Sequence, residues 1–210
     1  MDENIVETTE NTQQEEKKKG TTFSDFMEIV ESVIISVFAV LLIFTFVCRP
    51  VTVDGTSMVP TLQDKDKLIM RMMGYTPKCG DIVIVENDSS HRYENGTDGK
   101  IIDGSGMEKR LIKRVIAVGG QTVDIDFEAH TVTVDGEQLY ESYIKEPTEL
   151  DPGMFEYPVT VPEGYVFVMG DNRNNSTDSR SPLVGFVKEE DVIGKAVLRF
   201  YPFDKFEFLN

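Results

Sequence analysis

A serine stands between a glycine and a proline in "VDGTSMVPTL", residues 53–62. Ser57 in such a setting reads either as a polar link in a turn or as an exposed nucleophile. A nucleophilic hydroxyl needs a base to take its proton, and histidine is the usual partner. The chain has two, His91 and His130. His91 lies in a polar stretch and His130 opens an alternating pattern, so each reads as a solvated surface side chain. The other candidate is Lys113, within "RLIKRVIAV" (110–118). Apolar residues flank it on both strand faces, Leu111 and Val115 on its own and Ile112 and Ile116 on the other. A lysine there either guards an edge strand against unwanted pairing or is buried, where its pKa falls and the neutral amine becomes a base. Local physics leaves both open and leans to the edge strand. A third polar segment, "MGDNRNNSTDSR" (169–180), follows an apolar run. Its Asp171, Arg173, Asp178 and Arg180 have the spacing for local ion pairs, and Ser176 and Ser179 add hydroxyls. Taken alone it reads as an Asn/Asp-rich turn.

The elements that must position these residues are mostly strands. Short apolar or alternating runs recur after residue 50: "KLIMRMM" (67–73), "DIVIVE" (81–86), "RLIKRVIAV", "TVDI" and "HTVTVDGEQLY" around Asp135-Gly136, "GYVFVMG" (164–170) and "GKAVLRFYPF" (194–203). Period-2 runs bounded by turn residues predict strands, and Asp-Gly between two of them predicts a hairpin. Residues 188–192 predict a single helical turn. Residues 87–109 read as a polar, exposed excursion or loose hairpin, and 145–163, with four prolines, as an irregular connection. The expected fold is mainly β: an antiparallel sheet or barrel-like domain over 49–210, with a smaller accessory β-region near 122–163.

Ahead of it, residues 33–47 carry no charge, and the apolar stretch extends back to Ile29 with only Glu31 inside. About 20 apolar residues span a bilayer as a helix, and an acid near the end of such a span is tolerated at the headgroups. No polar stripe marks a core helix and no small-x-small site marks a cleavable leader. A transmembrane helix is therefore expected over 24–48, with 1–23 as a disordered tail on the cytoplasmic side and "TFSD" (22–25) as a capping-box start. Lys17, Lys18 and Lys19 precede the span and only Arg49 follows it closely, which puts the N-terminus in the cytoplasm and the β domain outside.

The net charge of −16 excludes the basic face that nucleic-acid binding requires. Cys48 and Cys79 have no metal-ligand spacing and are too few for a disulfide framework. No metal or cofactor is implied.

Taken together, these segments resemble the type I signal peptidases, membrane-anchored serine proteases, in the Gram-positive-type branch. "GTSMVPTL" (55–62), "GDIVIV" (80–85), "KRVIAVGGQ" (113–121) and "GDNRNNSTDSR" (170–180) stand in the family's order. The resemblance implies Ser57 as nucleophile and Lys113 as general base. It implies Ser176 as the hydroxyl that orients the lysine, and Asp178 and Arg180 as supporting ion-pair residues, with Asp171 and Arg114 paired across two motifs. Gly55 takes a place where some relatives have a serine that helps bind the oxyanion, which leaves that task chiefly to the Ser57 N–H. The family's usual Gly-Leu-Pro-Gly-Asp turn is here Ala117–Gln121. The implied substrates are exported preproteins with signal peptides carrying small residues at −1 and −3, met by walls at Val53, Leu62 and Ile112. Membrane lipid is the other implied partner, touched through Met58 and Val59. Rival readings are a Ser–Lys peptidase acting on itself or one partner, and an inactive tethered β domain.

Overall fold

A computed structural model describes the backbone of residues 3–209 and the side chains of residues 23–209. The chain divides into two units, residues 1–46 and 47–210. In the first, helix α1 (Glu3–Leu42) runs into a π-helical turn at Ile43–Val47. Within them Phe23–Val47 has the length and apolarity to cross a membrane. The expected tail, 1–23, begins outside the described residues, and the backbone of α1 runs through it from Glu3, so the expected helix start at residues 22–25 lies inside the helix.

The second unit has twelve strands: β1 (Cys48–Thr52), β2 (Lys67–Arg71), β3 (Ile82–Tyr93), β4 (Ile101–Val118), β5 (Thr122–Asp126), β6 (Thr131–Val134), β7 (Glu137–Gln138), β8 (Val159–Thr160), β9 (Tyr165–Met169), β10 (Val187–Lys188), β11 (Val192–Tyr201) and β12 (Glu207–Phe208). An eight-stranded antiparallel sheet runs β1-β2-β11-β3-β4-β9-β10, with β12 on β11. A smaller sheet, β7-β6-β5-β8, lies in the region expected to be accessory. Its β6–β7 hairpin turns at Asp135 and Gly136, both at positive φ.

The sequence-predicted strands are present, and of the two readings of 87–109, exposed excursion or loose hairpin, the structure forms the hairpin. It is the outer half of a long β3–β4 ladder paired from Ile82↔Arg114 to Tyr93↔Ile101, with one irregularity between Asn87 and Ser89. Its serines, glycines and charges gave no clean apolar alternation, because polar Asn87, Ser90 and His91 fill buried places in it. At the irregularity the Asn87 side chain, buried, accepts a hydrogen bond from the Met107 N–H at 3.0 Å.

Three apolar clusters fill the unit. One joins the small sheet to Phe155, Phe167 and Phe186. One packs Val53, Met58 and Leu62 with Leu68, Met70 and Ile84. The third, rich in valine, covers the opposite face of the central strands with Val83, Leu111, Val115 and Val168. Met58 and Leu62 are therefore core residues, correcting their placement at the lipid surface and the substrate wall: a one-turn bend after Ser57, with Leu62 N–H donating to Met58 C=O at 2.9 Å, points both inward.

His91 is also buried, not solvated. Its Nδ1 lies 2.8 Å from an Asp103 oxygen across the β3–β4 ladder, and its ring meets Tyr165 edge-on. A polar sequence neighbourhood concealed it because its cover comes from distant strands. His130 is exposed, as expected.

Candidate active site

β4 lies between β3 and β9, so Lys113 is in the middle of the sheet. The edge-strand explanation fails on topology. Leu111, Lys113 and Val115 share one face of β4, and Val83 stands opposite Lys113 on β3. That environment leaves Lys113 only 3% exposed. Burial is the largest influence on its amine and pulls the pKa down to about 8; Asp178 and Asp171 oppose the shift, and Lys109 and Arg180 add to it. Both opposing carboxylates are already engaged by guanidinium groups, which limits their hold on the lysine.

The lysine Nζ ends 2.7 Å from Ser57 Oγ, across 56 residues of sequence. An amine in that position with a depressed pKa is able to take a hydroxyl proton. Neither histidine has a hydrogen bond to Ser57 among the described residues.

The loop holding Ser57 is gripped from behind by residues 170–176. The Asn172 N–H donates to Ser57 C=O at 2.9 Å. The Asn172 side-chain amide donates to Thr56 C=O at 3.1 Å and that of Asn175 to Thr56 Oγ1 at 3.0 Å. Thr61 donates its hydroxyl to Asp171. Gly170 lies directly beneath: a Cβ there would stand 2.5 Å from Ser57 O and 2.3 Å from Ser176 Oγ. These bonds occupy the loop's carbonyls and leave the Ser57 N–H without a protein acceptor among the described residues. Asn172 and Asn175 were not singled out from the sequence, where they look like turn asparagines; their targets lie more than 110 residues away.

The polar segment folds into a knot of buried ion pairs. Arg114 makes two bonds to Asp171, Nε at 2.8 Å and Nη2 at 2.6 Å, and its guanidinium stacks 4.0 Å from the Tyr143 ring centre. Arg180 makes two bonds of 2.9 Å to Asp178, which also accepts the Gly170 N–H. Burial alone would raise the Asp178 pKa, but the Arg180 guanidinium overrides it and holds the carboxyl below its ordinary value. Arg173 pairs with Glu141 and donates to Thr148 Oγ1. Arg180 and Arg114 thus engage the two carboxylates, Asp178 and Asp171, that act on Lys113. Tyr143, Glu141 and Thr148 carried no local sequence signal, because only the fold brings them to the knot.

Two expected roles are not formed as described. Ser176 Oγ is buried with no hydrogen-bond partner, so no bond joins it to Lys113. The Gly55 N–H donates to the Asp64 carboxylate at 2.8 Å and is not turned to the groove as a donor. Gly55 has φ +95°, which the turn requires of a glycine, and the space beside it at the groove wall is open. Cys48 and Cys79 are free thiols. The altered turn at Ala117–Gln121 closes normally, with Gln121 N–H donating to Val118 C=O at 3.1 Å.

In front of Ser57 and Lys113 lies a groove of about 300 Å³. Val53, Ile84, Met107, Leu111 and Ile112 supply apolar wall, and Lys109, Arg110 and Asn175 supply polar rim. Val53 and Ile112 line this groove, and Leu62 is not among its lining residues. Met107 was missed, since it belongs to the ribbon read as an excursion.

A serine, a buried amine and an apolar groove of this size arise in more than one hydrolase class, and similarity decides between them. The family model described as "Signal peptidase, peptidase S26" matches residues 26–201. The chain belongs to the signal peptidase I family. This is a family of serine proteases, and the chain is an enzyme of that class. A probable signal peptidase I-1 of Synechocystis sp. is 36% identical over 179 residues, 83% of this chain and 82% of the relative. Signal peptidase I T of Bacillus subtilis is 36% identical over 205 residues, 93% of this chain and 94% of its own. A crystal structure of a signal peptidase I from Enterococcus faecalis is 29% identical, with a TM-score of 0.42 over 58% of this chain and 97% of that one.

Proposed function

We propose that this signal peptidase cuts signal peptides from exported preproteins with a Ser57–Lys113 dyad. The observation that carries the reading is the 2.7 Å contact between a buried amine and the serine hydroxyl at the groove. Ser57 Oγ attacks the carbonyl carbon at the cleavage site while Lys113 Nζ takes the hydroxyl proton. The oxyanion that forms is held by the Ser57 N–H, aimed by the Asn172 bonds to Thr56 and Ser57. The leaving amine takes the proton back from Lys113, giving an acyl-enzyme. Lys113 then deprotonates a water, whose attack frees the acid and restores Ser57. Asp178 and Arg180 hold Gly170 and the segment that backs the nucleophile loop, and Ser176 lies beside them without taking part in proton transfer in this arrangement.

Val53 and Ile112 narrow the groove, and small side chains at −1 and −3 fit by exclusion of larger ones. The apolar span anchors the enzyme as a single pass, with the N-terminus cytoplasmic and the catalytic unit outside, following the three lysines ahead of the span. Only nine residues separate Val47 from Ser57, so the nucleophile stays within about 35 Å of the membrane exit even with the chain extended.

The test is cleavage of a preprotein by the full chain in detergent. Ser57→Ala and Lys113→Ala each lose about 10³-fold or more of kcat, whereas His130→Ala retains it. A fully active Lys113→Ala would sink the dyad.

A further inference from the structure

The end of the groove away from the dyad is built by the irregularity in the β3–β4 ladder. Asn87 pairs with Lys109 and Ser89 with Ser105, so Asp88 on β3 stands opposite Gly106, Met107 and Glu108 on β4. The surplus residues fold out as a bulge. Glu108 takes φ +52°, in the left-handed region that residues other than glycine rarely adopt. Gly106 lets the two strands close, since a Cβ there would stand 2.6 Å from the Asp88 carbonyl carbon. A left-handed glutamate is a costly local shape. Bulges recur beside active sites because they re-aim side chains. This one carries Met107 and Lys109, and both line the groove.

Charge and register say what Lys109 is for. The charged side chains lining the groove are Asp54, Lys109, Arg110 and Lys113. Asp54 is held by Lys65 at 2.7 Å, and Arg110 faces Glu86 at 3.6 Å. Lys113 meets Ser57. Lys109 is exposed and has no ion-pair partner among the described residues, although residues 48–210 hold 28 acids and 18 bases. A cation left unpaired in so acidic a unit is open to an anion brought by the substrate. Along β4 it lies four residues before Lys113, about 13 Å at strand spacing. An extended peptide covers that distance in four residues. With −1 at Ser57 and −3 against Val53 and Ile112, it reaches Lys109 at −5. Alternate side chains of an extended chain point the same way, so −5 shares the side of −1 and −3 while −4 turns away.

We infer that Lys109, carried on the Gly106–Glu108 bulge, forms a subsite for an acidic side chain at −5 of the signal peptide. It sets specificity upstream of the small-residue positions and takes no part in proton transfer. The stem of Met107 beside it supplies an apolar flank for the methylene groups of that side chain. The inference rests on the reading of the groove as the signal-peptide site.

The probes are fluorophore-labelled peptides that share one cleavage sequence and carry Asp, Asn or Lys at −5. Their binding to the full Ser57→Ala chain in detergent is measured by fluorescence anisotropy, with cleavage by the unmodified chain followed in parallel. Affinity is expected to fall from Asp through Asn to Lys, by about 2–5-fold at each step, the range of an exposed ion pair. The differences should shrink in 1 M salt. Adding Lys109→Glu should invert the order, and adding Lys109→Gln should flatten it. Comparing peptides on one chain cancels whatever either change does to the Lys113 amine. Equal affinities, an order that Lys109→Glu leaves unchanged, or the same gain from Asp at −4, would overturn the inference. Ordered binding without cleavage by the unmodified chain supports the subsite and counts against the dyad. Cleavage with equal affinities counts against the subsite alone.

Discussion

Lys113 is the residue at which stability and chemistry oppose each other. Its pKa falls from 10.5 to about 8 on folding. Because the folded value lies below the unfolded one, the cost to folding is full below pH about 8 and fades as pH rises toward 10.5. At 1.36 kcal/mol per unit this amounts to about 3 kcal/mol at neutral pH. Lys113→Met is expected to be inactive yet more stable by up to about that amount at pH 7, measured by urea unfolding, with the gain shrinking above pH 9. The same ionisation shapes the rate. The proposed base works as a neutral amine, so kcat/KM should rise with pH and level off above about 8. A profile breaking near 6 would point to a histidine instead. Val53 and Leu62 separate wall from core. Val53→Ala should admit larger residues at −3 of a preprotein series, whereas Leu62→Ala should leave selectivity alone and lower stability by about 2–5 kcal/mol.

At the scale of elements, the site is a meeting of one strand, one loop and one polar knot. β4 supplies Lys113 and Arg114 on opposite faces, so one strand serves both the base and the ion pair that braces the loop opposite. Breaking a buried pair of this kind leaves a charge without a partner, and Asp171→Asn should destabilise the fold by about 3–5 kcal/mol in thermal or urea unfolding. Gly170 tests the grip on the nucleophile more locally. A methyl group there would press on the Ser57 carbonyl, 2.5 Å away. Gly170→Ala should reduce kcat about 10²-fold, as a displacement near 1 Å does, with little change in KM. Equal loss in a remote core variant of matched stability would show that the effect is not positional. The β3–β4 ribbon belongs at this scale too, since the Asn87 bond to Met107 carries a groove wall out from the sheet.

For the whole molecule, the proposed orientation places the catalytic unit on the outer side of the membrane. Cys79 is exposed and free. In intact cells producing a Cys48→Ser chain, a membrane-impermeant maleimide should label Cys79; labelling only after the cells are opened would reverse the topology. The negative surplus of residues 48–210 lies in 122–163, which hold eleven acids and one lysine, and it acts at the same scale. It arises from a whole lobe rather than from any single pair, and surface charges of this kind influence orientation and solubility more than stability.

Much of this was legible in the residues themselves. Local periodicity marked β2, β5, β6, β9 and β11, because a half-buried strand must alternate or run apolar. The uncharged run to Val47 marked the span, and four ordered motifs marked the family along with Ser57, Lys113, Arg114–Asp171 and Asp178–Arg180. The long ribbon was legible only as one of two readings because polar residues fill its buried places, and the burial of His91 escaped because distant strands cover it. Whether Lys113 sat at an edge or in the middle of a sheet was undecidable from its neighbours, since both cases put the same apolar residues beside it. Strand order settled it: β3 and β9 close over β4, remove water from the amine, and leave the Ser57 hydroxyl within its reach.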